Sequence, residues 1–553
     1  MNNEKTFTPI SDFIEAYTDK HPVRLHMPGH KGIDSNSKPG CRALSEAYSH
    51  DITEIRGADS LYESDITHGI IYESELIATR HFGSAHTFYS TEGSSQCIKA
   101  MCSLAITHYL QAHTDSTHTA DSHPTGALAN SESEHVTPTI IAGRNAHKSF
   151  IYASQLLRFN IDWLTDEAGD SSLLSCRITP AGLRTHLDSL ISDSPSNETG
   201  SHTLSAGYCA VYITSPDYLG NILDIQGLAE VCHEYGLQLL VDNAHGAYLS
   251  LFPQEACSGL ASSNHKTKHP IALGADIVTD SAHKTLPVLT GGAYLHISKG
   301  CDESILHSVH KSMELFGSTS PSYLILESLD LANRYIYQTC YVDETISGDN
   351  PYIRAARQVQ SLKESLRNYG FKLAGNEPLK LSVMLSGYGG SYITLISDTM
   401  TKHHIEYEYL DSDVLILMFS PQNSAADFER LHVVMNELAP HMYSEKGQDT
   451  DTYNSSADCD ILSAESIDDT SRLKPRSIRM DYMLPAAAKH TYDMLSITGT
   501  ELSTATDEPV GRILVNADIP CPPAVLPIVP GEVIDSDALM LLRRYNITTV
   551  HVL

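Results

Sequence analysis

Ala275-Asp276-Ile277-Val278-Thr279-Asp280-Ser281-Ala282-His283-Lys284-Thr285-Leu286 is a short apolar, β-branched run that ends in a turn of small residues and then a lysine. The run predicts a buried strand over Ala275–Asp280. A lysine just beyond such a strand loses part of its hydration, so its amine becomes a usable nucleophile. That is the setting in which a Schiff-base lysine holds an aldehyde cofactor. Taken alone, a lysine is better read as a solvated loop residue, so the reading of Lys284 rests on what surrounds it.

Outward from this stretch the pattern alternates. Thr139–Ala142 and Tyr208–Thr214 read as strands, Ile225–Tyr235 as a helix stopped by Gly236, and Leu237–Asp242 as the next strand. Near-continuous apolar strands alternating with helices predict a parallel sheet covered on both faces. Such sheets bind ligands beyond the carboxyl ends of their strands. Polar motifs follow four of the predicted strands at that end: Arg144–Ser149, Ser215–Gly220, Asp242–Gly246 and Ser281–Thr285. A long helix is expected from Pro321 with Ser320 as its N-cap, and strands at Ser382–Leu385 and Val414–Phe419 with a helix over Ala425–Leu438 predict a second, smaller α/β unit. Residues 111–138 and 444–477 are polar and nearly free of large apolar side chains, so they read as an insert and a linker. The expected organisation is an N-terminal arm (1–50), a large domain (51–335, with the insert at 111–138), a small α/β domain (336–443), the linker (444–477) and a turn-rich C-terminal segment (478–553).

Bulk composition narrows the function. With 553 residues the chain can bury more than one core, and 41% hydrophobic with 19% charged residues is the balance of a globular protein. A formal net charge of −31 argues against nucleic acid, whose phosphates need clustered Lys and Arg. No apolar run is long enough to span a bilayer and no leader pattern opens the chain, so no membrane partner is expected and a cytoplasmic location is. Eleven cysteines without a CxxC pair suit a reducing compartment, and 29 histidines without ligand spacing predict no metal site.

The motifs carry chemistry. Gly93, Ser94 and Ser95 stand before an amphipathic run (Ile98, Met101, Ala105, Tyr109), where backbone N–H groups, hydroxyls and a helix dipole suit a phosphate. Asp242 ends a buried strand, where a carboxylate is costly unless paired, and a protonated pyridine nitrogen is a fitting partner. His245 and His147 add imidazoles after two strands.

Together these residues resemble the Orn/Lys/Arg decarboxylases among the fold-type-I pyridoxal-phosphate enzymes, in the shorter form without an N-terminal wing domain. The matching motifs run in order: His26–Gly32, Asp51–Ile55, Thr91–Ser95, Arg144–Ser149, Val241–Ala247, Ser281–Pro287, Ser318–Tyr323, and Pro522-Pro523 through Pro530-Gly531-Glu532. The resemblance implies a mostly parallel sheet covered by helices plus a smaller C-terminal α/β domain, with pyridoxal 5'-phosphate as cofactor. It implies that Lys284 carries the cofactor as a Schiff base, Asp242 contacts the pyridine nitrogen, and His147 stacks on the ring. Ser94, Ser95, Ser281 and His283 would surround the phosphate with Gly93, and His245 would lie beside Lys284. Ser318 and Thr319 would reach the phosphate of a neighbouring subunit in a homodimer or higher oligomer with shared sites. The His26–Lys31 segment is expected to pack near the site.

The implied activity is decarboxylation of lysine, ornithine or arginine to the amine and CO2, within polyamine biosynthesis, with Lys284, His147 and His245 as the catalytic side chains. Another reaction on the same scaffold, transamination or a lyase reaction, and a non-catalytic paralogue are the alternatives. Three departures bear on the choice: Glu92-Gly93-Ser94-Ser95 stands for the usual Asn-Gly-Thr-Ser, Asp242-Asn243-Ala244-His245 for Asp-Glu-Ala-His, and Ser215-Pro216-Asp217-Tyr218 for Asn-Pro-Thr-Tyr. An anionic Glu92 beside a phosphate would be repulsive unless it points away or is protonated. Glu406, Glu408 and Asp411 are candidates to meet a cationic substrate end.

Overall fold

The computed structural model describes residues 7–21, 24, 30, 45–52, 61, 68–115, 136–165, 173–191, 204, 207–253, 268–386, 388, 390–441, 489–517 and 524–553. Its centre is a seven-stranded sheet of β1 (His86–Ser90), β2 (Thr139–Gly143), β3 (Asn160–Leu164), β4 (Tyr208–Thr214), β5 (Gln238–Asp242), β6 (Ile277–Asp280) and β7 (Ala293–Ile297), in the order β1-β7-β6-β5-β4-β2-β3. The β3, β2, β4, β5 and β6 strands run parallel, and β7 is antiparallel to both β6 and β1. Side chains alternate across this sheet, as the pleat requires. Ile140, Ala142, Ala210, Tyr212, Leu240 and Ile277 face one core, where Cys97, Ile98, Met101 and Ala105 of the helix Ser94–Asp115 pack. Ile141, Val211, Ile213, Leu239, Val241 and Val278 face the other, with Leu183, Leu187, Leu228 and Val231 from the helices Pro180–Ser189 and Ile225–Glu234. Both faces are dry, which is why these strands read as apolar runs rather than alternations.

Several boundaries differ from expectation, each for a physical reason. The last parallel strand begins at Ile277, because the Asp276 side chain turns to accept the Leu239 backbone N–H at 2.8 Å. Residues 111–115, assigned to the polar insert, continue the helix from Ser94. The helix expected at Pro321 starts at Tyr323 with Ser322 as N-cap, since the fully buried Tyr323 ring anchors the first turn. The sequence did not reveal β1 and β7, because their polar residues find partners inside: Thr87 Oγ1 meets His296 Nδ1 across the two strands at 2.9 Å, and His86 meets Glu75 of the helix Ile70–Phe82 at 3.0 Å.

A four-stranded antiparallel sheet forms the second unit, Leu373–Ala374, Lys380–Met384, Val414–Met418 and Tyr409–Leu410 in that order, with the helices Pro351–Asn368, Gly390–Lys402 and Ala425–Leu438. The C-terminal part is more than turns: Thr500–Ser503, Thr549–Val552 and Leu514–Ala517 make a three-stranded sheet beside the helix Ser536–Arg544. Among the described residues no helix is long and apolar enough to cross a membrane. The linker 444–477, most of the insert 111–138, and the motif residues 26–29, 31–32, 53–55 and 522–523 lie outside the described residues.

Candidate active site

Because β2, β4, β5 and β6 are parallel neighbours, the segments that follow them emerge on one rim. Lys284 lies in the single helical turn Ala282–Thr285 after β6. Its Nζ is 3.2 Å from His245 Nε2, and the other ring nitrogen, His245 Nδ1, is 3.2 Å from Lys380 Nζ. His245 is thus a buried imidazole between two lysines. Burial, then Lys284 and Lys380, push its pKa well below the ordinary histidine value, so it is neutral.

Asp242 ends β5 almost fully buried. Its Oδ1 accepts the Ala244 N–H at 3.1 Å and its Oδ2 accepts the Tyr212 hydroxyl at 3.0 Å. Burial raises its pKa, while Lys284 and these two donors pull the other way. A buried carboxylate with neutral donors on both oxygens gains most from a cationic N–H.

His147 is the N-cap of the helix Lys148–Leu157, and its Nδ1 accepts the Ser149 N–H at 3.1 Å, which leaves the ring proton on Nε2. Burial, with Lys284 and Lys148, lowers its pKa to about 3. The Ser149 hydroxyl donates to Ser95 Oγ at 2.8 Å, and Ser281 donates to Ser94 Oγ at 2.7 Å. These hydroxyls gather at the first turn of the helix from Ser94, behind Gly93, whose φ of +72° disfavours any residue with a Cβ. Glu92 is exposed, which relieves the repulsion its charge would otherwise bring to an anion at this turn. The C-terminal part braces the same rim: Arg144 donates to the carbonyls of Leu526 and Pro527 at 2.8 and 3.0 Å, and Lys148 N–H to that of Ala524 at 2.8 Å. Glu532, from the Pro530-Gly531-Glu532 motif, reaches Arg144 at 3.7 Å.

Lys284, His245, Asp242, His147, Gly93, Ser94, Ser95 and Ser281 therefore lie on connected parts of one rim. His283 borders it, with Nδ1 3.1 Å from the Gly292 carbonyl. Ser318 and Thr319 do not join this cluster; both are exposed before the helix Tyr323–Cys340. His30 stacks on Tyr48 and meets Asp51 at 3.2 Å.

Lys380 was not foreseen. It opens a strand of the small sheet, and its Nζ also donates to the carbonyls of Asp217 and Tyr218, each at 3.3 Å. Asp217 is itself buried, holding Ser175 Oγ at 2.5 Å and Asn221 at 2.8 Å, and Tyr218 donates its hydroxyl to Glu408 at 2.9 Å. The only local signal was a charged residue at the head of an apolar strand. Of the acidic candidates, Glu408 adjoins the rim through Tyr218, Asp411 is spent on Tyr409 and two backbone N–H groups, and Glu406 is exposed.

This donor set fits pyridoxal phosphate. It offers an amine for an aldehyde, a buried carboxylate for a ring N–H, and a hydroxyl-rich helix start for a phosphate. The buried Oγ1 atoms of Thr91 and Thr285, on the same loops, have no hydrogen-bond partner.

The sequence family described as "Orn/Lys/Arg decarboxylase, major domain" matches residues 127–362. An arginine decarboxylase of Bacillus subtilis is 24% identical over 79% of this chain and 78% of its own. One of Halalkalibacterium halodurans is 24% identical over 98% of this chain and 93% of its own. The solved constitutive lysine decarboxylase of Escherichia coli is 16% identical and superposes with a TM-score of 0.65 over 97% of this chain and 77% of its own, a likeness of fold.

Proposed function

From the premise that this chain belongs to the Orn/Lys/Arg decarboxylase family and is a pyridoxal-phosphate-dependent decarboxylase, we propose that it removes the α-carboxylate of arginine, lysine or ornithine as CO2 and releases the amine. The carrying observation is the convergence on one amine: Lys284 Nζ is 3.2 Å from His245 and shifts the ionisation of both Asp242 and His147. Bound pyridoxal phosphate supplies the electron sink for breaking the carbon–carboxylate bond. Lys284 holds it through the amine, Asp242 fixes the charge of the ring nitrogen, and His147 flanks the ring. Gly93, Ser94, Ser95, Ser281 and His283 hold or border the phosphate. His245 holds and moves a proton at Lys284 Nζ. Glu408, half-buried on the hydroxyl of Tyr218, attracts the cationic end of the substrate.

The same reading makes the protein a cytoplasmic homodimer or higher oligomer whose product enters polyamine biosynthesis, with Ser318 and Thr319 serving the neighbouring site. It divides the chain at 50, 335, 443 and 477.

Incubation of the cofactor-loaded protein with arginine, lysine and ornithine, following CO2, amine and 2-oxo acid, tests the proposal. Amine and CO2 in equal amounts from one of the three are expected. A 2-oxo acid formed only with an amino acceptor would make it a transaminase instead, and no turnover of any would make it a non-catalytic binder.

A further inference from the structure

Tyr212 carries a hydroxyl into a core whose packing does not need one. The ring is fully buried on β4, on the sheet face that packs against the helix Ser94–Asp115. Phe150, in the helix that His147 caps, stacks on it with ring centroids 4.2 Å apart. A phenylalanine would fill the same space, and a buried hydroxyl is costly unless it is hydrogen-bonded. Its partner lies one strand over. The β4 and β5 strands pair in parallel with Tyr212 opposite Leu240 and Thr214 opposite Asp242, so Tyr212 and Asp242 stand on the same face. Tyr212 Oη reaches Asp242 Oδ2 at 3.0 Å.

Asp242 is then held at both oxygens, by Tyr212 at Oδ2 and by the Ala244 N–H at Oδ1. Each oxygen keeps a second lone pair for a further donor. The charged groups that face this carboxyl are Lys284, which favours its anion, and Asp280, which opposes it. An ionised carboxylate only accepts, so Tyr212 is the donor wherever Asp242 meets a ring N–H as an anion. Burial and then the charge of Asp242 push the Tyr212 hydroxyl well above its ordinary pKa, so it keeps its proton to donate. The neighbouring Cys102 thiol is likewise held protonated by burial.

We infer that Tyr212 is a positioning residue for the cofactor: its hydroxyl fixes the plane of the Asp242 carboxylate and stabilises the anion, which keeps the shared proton on the ring nitrogen. This rests on the reading of Asp242 as the partner of that nitrogen. Without the hydroxyl, Oδ2 becomes more basic and draws the proton from nitrogen to oxygen, leaving a neutral ring beside a neutral acid. A neutral ring is the poorer electron sink. The stack of Tyr212 on Phe150 also ties this carboxylate to the helix that begins after His147. The groups proposed for the nitrogen and for the flank of the ring thus share one support.

Tyr212→Phe removes one oxygen and keeps the ring, and its first readout uses the cofactor-free full-length chain. With 13C in the aspartate carboxyls, infrared difference spectra against Asp242→Asn isolate this group. Asp242 is expected to titrate at higher pH in Tyr212→Phe than in the wild-type protein. In protein loaded with 15N-labelled pyridoxal phosphate, the ring nitrogen is expected to be protonated in the wild type and less so in Tyr212→Phe, with cofactor binding about ten-fold weaker. A folded Tyr212→Phe in which Asp242 titrates unchanged, or at lower pH, overturns the inference; the lower value is the sign of a protonated Asp242 that donates to Tyr212. A protonated Asp242 in the loaded wild-type protein overturns it even where Tyr212→Phe fails to fold. The two readings fail separately, because the carboxyl titration needs neither cofactor nor turnover.

Discussion

Two histidine clusters stand near the end of β6, one on Asp280, its last residue, and one on Lys284, in the turn that follows. In the first, His269 and His296 each place Nε2 3.0 Å from Asp280 Oδ2, while Asn243 donates to Oδ1 at 2.6 Å. In the second, His245 lies between Lys284 and Lys380, both 3.2 Å away. The first is sealed from water while the second is partly open at Lys284, and their charges differ in kind. Burial alone would raise the Asp280 carboxyl, yet the two imidazoles override it and hold the group well below the usual carboxylate range. At His245 burial and both lysines act in one direction, against charge on the ring. A buried carboxylate whose oxygens are taken up by two imidazoles and an amide locks a strand end in place. Two lysines across one neutral imidazole, if both were charged, would leave one contact with a proton too many.

The largest effect that could break this contrast is on stability. Asp280→Asn removes the shared partner of two buried imidazoles and is expected to cost about 3–5 kcal/mol, read by urea unfolding of the cofactor-free protein. Asp242→Asn, whose carboxylate has only neutral hydrogen-bond donors, is expected to change the same unfolding curve by about 1 kcal/mol or less while weakening cofactor binding about a hundred-fold. Equal destabilisation by the two substitutions would erase the distinction.

A smaller effect appears with pH at His147, on the same rim as Lys284. His147 falls from the model-compound value of 6.5 to about 3 in the folded chain. The unfolded chain therefore binds the proton first as pH drops. This contribution is fully present above about pH 6.5 and is lost progressively down to about pH 3, by up to about 1.4 kcal/mol per pH unit. Unfolding midpoints of cofactor-free protein at pH 7, 6 and 5 should fall less steeply in His147→Gln, by about one proton. An unchanged slope would mean that His147 is already solvated in the folded chain.

The smallest concerns Asn243. Asn243→Ala leaves Asp280 Oδ1 without the donor now 2.6 Å away and is expected to cost about 1–2 kcal/mol, with no change in the visible band of bound cofactor. A glutamate at this position, the family's usual residue, would face Asp280 with a second carboxylate. Asn243 is thus matched to Asp280.

The parallel sheet was legible because both its faces are dry and its strands are written as apolar runs, from Ile140-Ile141 to Val211-Tyr212-Ile213. The rim was legible because polar motifs follow those strands directly. What escaped was anything whose partner lies far along the chain. Thr87 and His296 look like surface residues until each is seen to satisfy the other. Lys380 is 135 positions from the imidazole it contacts, and no periodicity joins the head of a small-sheet strand to a turn after β5. Glu532 stood in a recognised motif, but its use, a buried partner for Arg144 under the His147 loop, is a tertiary fact.

The central claim is that Lys284, and not the neighbouring Lys380, bears the cofactor. Borohydride reduction of the pyridoxal-phosphate-loaded protein, followed by proteolysis and peptide mass mapping, measures this directly. The expected result is the reduced cofactor on the peptide containing Lys284, and none in Lys284→Ala. Cofactor fixed to Lys380, or to no lysine at this rim, would contradict the account.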